Sequence, residues 1–158
     1  MSSDLPTPAH IRHRNLPLLL LQARERVIAR FRPILNAHGV TEQQWRIVRT
    51  LLERGPLEPR ELVEVCQISS PSLAGVLARM DEAGWVLRSR VDGDQRRVRV
   101  SLTPQSVALA EAMAPQIEAA YAEIEARLGD VFTQRFYAVL DALIERLDTS
   151  DGLPPEAD

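Results

Sequence analysis

A chain of 158 residues with 45% hydrophobic and 26% charged residues has the composition of one ordinary globular unit. Aromatic residues are only 4%, so a core must be built from Leu, Val, Ile and Ala, which favours packed helices and speaks against a β-sandwich. The formal net charge of −3 does not exclude nucleic acid, because residues 1–99 hold sixteen Arg against eleven acids and residues 100–158 three Arg against eleven.

In chain order, residues 1–14 hold Pro6 and Pro8 and no apolar period, and read as an arm. Asn15 is placed to cap a helix, with Pro17 in its first turn, where a missing N–H costs little. This helix is expected to run to about Ala37 and stop at Gly39. Its apolar start, Leu16 to Leu21, is far shorter than the ~20 residues a bilayer requires, and it lacks the flanks of a signal peptide. Thr41 with Gln44 forms a capping box for a second helix to about Glu53, expected to bury Trp45, Val48, Leu51 and Leu52 before Gly55-Pro56. A short helix follows from Pro59 through Val65. Ser69-Ser70-Pro71 then opens a fourth helix that ends at Gly84.

Trp85 to Arg90 reads as a strand, Asp92-Gly93-Asp94 as a turn, and Val98 to Leu102 as a second, alternating strand. Thr103-Pro104 opens a long helix to about Leu128. Its seam is Val107, Ala110, Ala114, Ile117, Tyr121, Ile124 and Leu128, and Pro115 should kink it. A last helix, from about Asp130 to Leu147, lines up Phe132, Phe136, Val139, Leu140, Leu143 and Leu147. Residues 149–158 read as a disordered tail.

In the fourth helix Leu73, Val76, Leu77 and Met80 share one face. The opposite face carries Ser70, Ser72, Gly75 and Arg79: hydroxyls for phosphates, a small residue for close approach and an Arg for a guanine edge. The hairpin carries Arg88, Arg90, Arg96, Arg97 and Arg99; Arg96 suits the negative potential of a minor groove, and the other arginines read as phosphate contacts. Asp94 is expected to brace the Arg96 side chain with a bidentate pair.

The run Asp94-Gln95-Arg96-Arg97-Val98-Arg99-Val100-Ser101-Leu102-Thr103 resembles the wing of the MarR family, Asp-x-Arg followed by a strand ending Leu-Thr. Leu21 to Glu25, Phe31 to Leu35, Thr41 to Arg49, and Pro71-Ser72-Leu73 with Gly75 and Arg79-Met80 are similar to its branch of repressors of homoprotocatechuate (4-hydroxyphenylacetate) degradation. The chain departs at Ser106, where the family has Gly, and at Ala74, where the branch has Thr. The resemblance spans residues 16–147. It implies a mainly α winged helix-turn-helix fold with a small β-hairpin: dimerisation helix over 15–40, DNA-binding unit over 41–103, dimerisation helices over 104–148. It also implies a homodimer through the first and last two helices, a pseudo-palindromic double-stranded operator, and release by a small aromatic acid such as homoprotocatechuate or 4-hydroxyphenylacetate.

For that acid, Arg24 is the first candidate anchor, on one stripe with Leu20, Val27, Ile28 and Phe31, where a charge needs a partner. The sequence leaves open whether that partner is the ligand or an internal carboxylate. Arg46 beside Trp45 is a second candidate, and His13 and Arg14 are weaker ones. Cys66, the lone cysteine, is either a buried structural thiol or an oxidant sensor, and an oxidant or another lipophilic compound is the alternative signal for the same fold; alone it forms no intrachain disulfide and suits a reducing cytoplasm. His10 and His13 could share a metal, but no cluster of further ligands accompanies them. No phosphate loop, nucleophile motif or cofactor motif is present, so an enzyme is not expected.

Overall fold

The computed structural model describes residues 10–148. The expected tail at 149–158 and most of the expected arm, residues 1–9, lie outside them. Seven helices and one hairpin follow in the order α1 (Leu16–Ile28), α2 (Arg32–Ala37), α3 (Glu42–Arg54), α4 (Pro59–Cys66), α5 (Ser70–Glu82), β1 (Val86–Val91), β2 (Asp94–Leu102), α6 (Pro104–Leu128) and α7 (Asp130–Arg146).

Side-chain caps fix most helix starts. Asn15 Oδ1 accepts from the Leu18 N–H at 3.1 Å, Thr41 and Gln44 exchange reciprocal bonds at 3.1 and 3.0 Å, and Ser69 and Thr103 cap α5 and α6. The single first helix expected from the sequence is instead two. Pro33 has no N–H to offer the Ala29 carbonyl, and the chain tightens into i→i−3 bonds, Arg30 N–H to Val27 O and Phe31 N–H to Ile28 O, before restarting as α2. The break turns Phe31 inward, where it is buried. Pro115 sits inside α6 without ending it.

Two apolar clusters hold the molecule. The first gathers Ile47, Val48 and Leu51 of α3, Leu62 and Cys66 of α4, and Leu73, Val76, Leu77 and Met80 of α5, closed by Val86 and Val100 of the hairpin. The α5 face is the one its period dictates. Leu52, expected inside, is exposed; one residue is 100° of helix, and the buried stripe of α3 runs through Ile47, Val48 and Leu51. The second cluster joins Phe31, Leu35 and Val40 to Met113 and Ile117 of α6. Here Met113, not the expected Ala114, faces inward, because the stripe runs Ser106, Ala110, Met113, Ile117. Trp45 and Trp85 pack against both clusters.

The hairpin is antiparallel, with Arg88 opposite Val100 and Arg90 opposite Val98. Gly93 supplies the φ of +84° that its two-residue turn needs. Leu57, just before α4, adds a third rung: its N–H and carbonyl bond Val100 at 3.1 and 2.7 Å. At the hairpin's base Thr103 Oγ1 donates to Gly84 O at 2.6 Å and the buried Ser106 hydroxyl to Trp85 O at 2.7 Å, tying the end of α5 to α6.

Helices α1 and α7 bury no residue, and Leu16, Leu18, Leu19, Leu20 and Leu21 on one and Val131, Phe132, Phe136 and Val139 on the other stand exposed. Among the described residues no helix is long and apolar enough to cross a membrane.

Candidate nucleic-acid interface and effector chamber

A crevice of about 350 Å³ lies between α4, the N-terminal half of α5 and β1, and its lining includes Arg60, Ser70, Ala74 and Arg88. Ser70, Ser72, Gly75 and Arg79 are all exposed along α5. A Cβ built on Gly75 meets nothing within 4 Å, so nothing inside the chain requires a glycine there. Arg60, on the first turn of α4, is a cation the sequence reading missed; only the fold brings it beside Ser70 and Arg88.

On the hairpin the arginines divide into two kinds. Among the described residues Arg88, Arg96 and Arg99 form no side-chain hydrogen bond or ion pair. Arg90 instead donates to the Gln95 carbonyl across the hairpin. Arg97, read from the sequence as a phosphate contact, is held by Glu58: Nε to Oε1 at 2.8 Å and Nη2 to Oε2 at 3.3 Å. Asp94 also differs from its expected role. Its Oδ1 accepts from the Arg96 backbone N–H at 2.9 Å instead of pairing with the guanidinium, because a carboxylate just past a tight turn reaches the amide two residues on. It braces the strand and leaves the Arg96 side chain free.

A second site lies between α1, α3 and α6. A chamber of about 290 Å³ is lined by Arg24, Glu42, Trp45, Arg46, Arg49 and Tyr121, among others. It adjoins a larger apolar cavity of about 460 Å³ that shares Arg24, Ile28, Trp45 and Tyr121 and adds Phe31, Ile124 and Phe136. The expected anchor Arg24 is there, paired with Glu42 at 3.1 Å. Arg46 lines the chamber but its Nη1 donates to the carbonyls of Cys66 at 2.8 Å and Gln67 at 3.4 Å, closing the end of α4. His13 and Arg14 are exposed and line neither cavity.

Arg49 and Tyr121 are the residues that sequence reasoning missed. Arg49 follows Trp45 by four and therefore shares its face of α3, a signal that was legible. Tyr121 was read only as a seam position. Burial disfavours the Arg49 charge, but Glu53 and Tyr121 outweigh it and hold the guanidinium above its usual range. Tyr121 packs on Phe31 with ring centroids 4.7 Å apart.

Cys66 is buried, and its Sγ approaches Thr50 Oγ1 at 3.4 Å and Arg46 O at 3.8 Å. Burial of this kind suits a structural thiol. Among the described residues no three His, Cys, Asp or Glu side chains are grouped to hold a metal ion.

A recognition helix, an arginine-bearing wing and a polar chamber behind them define a winged helix-turn-helix regulator. The MarR family model matches residues 40–98. The homoprotocatechuate degradative operon repressor of Escherichia coli is 42% identical over 84% of this chain and 89% of its own length. The HTH-type transcriptional regulator FarR of Neisseria gonorrhoeae is 38% identical over 92% of this chain and 98% of its own. The crystal structure of NadR in complex with 4-hydroxyphenylacetate superposes with a TM-score of 0.78 at 37% identity, over 91% of this chain and all of that one. The chain belongs to the MarR family of transcriptional regulators, as its wing motif implied.

Proposed function

We propose that the protein is a homodimeric repressor that binds a pseudo-palindromic operator and is released by a small aromatic carboxylate, 4-hydroxyphenylacetate or homoprotocatechuate. The observation that carries this reading is the chamber itself. It sets Arg24 and Arg49 beside the Trp45 and Tyr121 rings, a cation and π-face combination suited to an aryl acid. It also lies where α3 of the winged unit meets α6. A ligand there touches both parts and can bias their relative position. The repressor named for homoprotocatechuate degradation and the NadR complex supply the ligand class.

On the DNA side, α5 presents Ser70, Ser72, Gly75 and Arg79 to a major groove, and Arg96 at the wing tip enters the adjacent minor groove, with Arg88 and Arg90 toward phosphates. The exposed apolar faces of α1 and α7, with the free part of α6, form the dimer interface, and the twofold sets half-sites about one helical turn apart. Such a protein acts in the cytoplasm as a regulator and has no catalytic role.

A mobility-shift titration on the DNA upstream of its own gene, with aromatic acids added, tests the reading. Shift without acid and release by 4-hydroxyphenylacetate or homoprotocatechuate are expected. Retention of the complex at saturating acid would remove the effector half of the proposal, and no shift at all would remove the DNA half.

A further inference from the structure

Glu58 stands at the N-cap of α4, where its backbone N–H donates to Glu61 Oε2 at 2.8 Å, so its position is fixed by the helix start. From there its carboxylate reaches 39 residues along the chain to grip Arg97 on β2 with two hydrogen bonds. The Glu58 side chain is only 16% exposed, against 49% for Arg97, so the body of the protein holds the arm and not the reverse. A two-stranded ribbon is marginal on its own in water. Here the backbone rung between Leu57 and Val100 secures the ribbon only near its base. Farther out, among the described residues, Glu58–Arg97 is the hydrogen-bonded side-chain tie between ribbon and body.

We propose that Glu58 is a positioning residue for the wing: through Arg97 it fixes the angle of the hairpin to the recognition helix, and Arg97 serves as anchor without neutralising a phosphate. This rests on the DNA-binding reading above. Electrostatics favour keeping the pair on the duplex. If Arg97 left for a phosphate, Glu58 would face the polyanion with only the weaker pull of Arg60 and Arg99 to offset its charge, which opposes the exchange. The ion pair also holds Glu58 below its ordinary range through the Arg97 hydrogen bonds, so it stays charged at neutral pH.

The test compares wild type, Glu58→Gln, Arg97→Gln, the double variant, the swap Glu58→Arg with Arg97→Glu, and Arg96→Ala. Operator affinity is measured by fluorescence anisotropy across a salt series, and amide exchange of residues 90–98 in the free protein. Each single variant is expected to weaken binding about threefold to fivefold, the range of an ion pair this exposed. The double variant should lose no more than either single one, the swap should recover part of the loss, and the salt slope should stay at the wild-type value. Faster exchange in residues 90–98 of both single variants should accompany this. A salt slope reduced by about one in Arg97→Gln, with tighter binding by Glu58→Gln, would make Arg97 a phosphate ligand and overturn the proposal. Additive losses, or unchanged exchange, would overturn it too. Arg96→Ala separates the two readings: if it leaves affinity intact, the wing does not enter DNA and the interface assignment fails, while the exchange data still decide the anchor.

Discussion

The Glu42 carboxylate on the first turn of α3 accepts from two arginines that come from different helices, Arg24 of α1 at 3.1 Å and Arg32 of α2 at 2.6 Å. Arg32 in turn pairs with Glu25 of α1, so four charges staple the break between α1 and α2 to the winged unit. Hydrogen bonding to Arg32, above all, lowers both Glu25 and Glu42 below their ordinary value of 4.5. A carboxyl lowered on folding contributes stability that is present above that ordinary value and is lost as pH falls through the lowered one. The melting temperature should therefore drop as pH falls below about 5, and Arg32→Met should flatten that drop. A pH-independent difference between the two proteins would show that the staple carries no linkage.

Arg49→Ala removes the chamber cation that shares a face of α3 with Trp45. A hydrogen bond to a charged group is worth about 1.5–3 kcal/mol, so affinity for 4-hydroxyphenylacetate should fall roughly tenfold to a hundredfold by calorimetry, with operator binding in the absence of acid retained. Arg24→Ala should cost about as much, because each guanidinium is already shared with an internal carboxylate, Arg24 with Glu42 and Arg49 with Glu53. If Arg24→Ala proves the more damaging of the two, the carboxylate sits at the other end of the chamber.

Gly75→Ala separates folding from DNA contact. The added methyl meets nothing in the chain and replaces the poorest helix former short of proline, so thermal stability should rise by up to about 1 kcal/mol. Operator affinity should fall nonetheless, since the methyl intrudes where the helix approaches the bases. Unchanged affinity would place the recognition surface elsewhere on α5.

Phe132 and Phe136 stack on the exposed face of α7 with centroids 5.8 Å apart. Phe136→Arg places a charge in the proposed dimer interface, and size-exclusion chromatography with light scattering should show monomers, with operator affinity lost in parallel. A dimer that survives this change would be held by other surfaces.

What the sequence made legible was local. The α5 core face, the capping box at Thr41 and the presence of a turn around Gly93 each depend on neighbours within four residues, and each was readable from period or turn chemistry, although Asp94, read as part of the turn, already pairs with Val91. The break between α1 and α2 was missed although Pro33 marks it, because the apolar residues on both sides continue a helical stripe. The roles of Arg46 and Arg97 were not readable at all: their partners lie 20 and 39 residues away and become neighbours only when α3 meets α4 and the hairpin folds over Leu57. For the same reason Arg60 gained its place beside Ser70 and Arg88 only in three dimensions, whereas Arg49 could have been found from its spacing to Trp45.

The position of the two tryptophans gives the molecule its own optical gauge. Trp45 lines the chamber, Trp85 sits where the end of α5 joins the hairpin, and both bridge the two apolar clusters. Any tilt of the winged unit against α6 changes the polarity around both indoles, and a ring stacked in the chamber quenches Trp45 first. Intrinsic emission, resolved by Trp45→Phe and Trp85→Phe, therefore times ligand entry and the following motion separately without an added label.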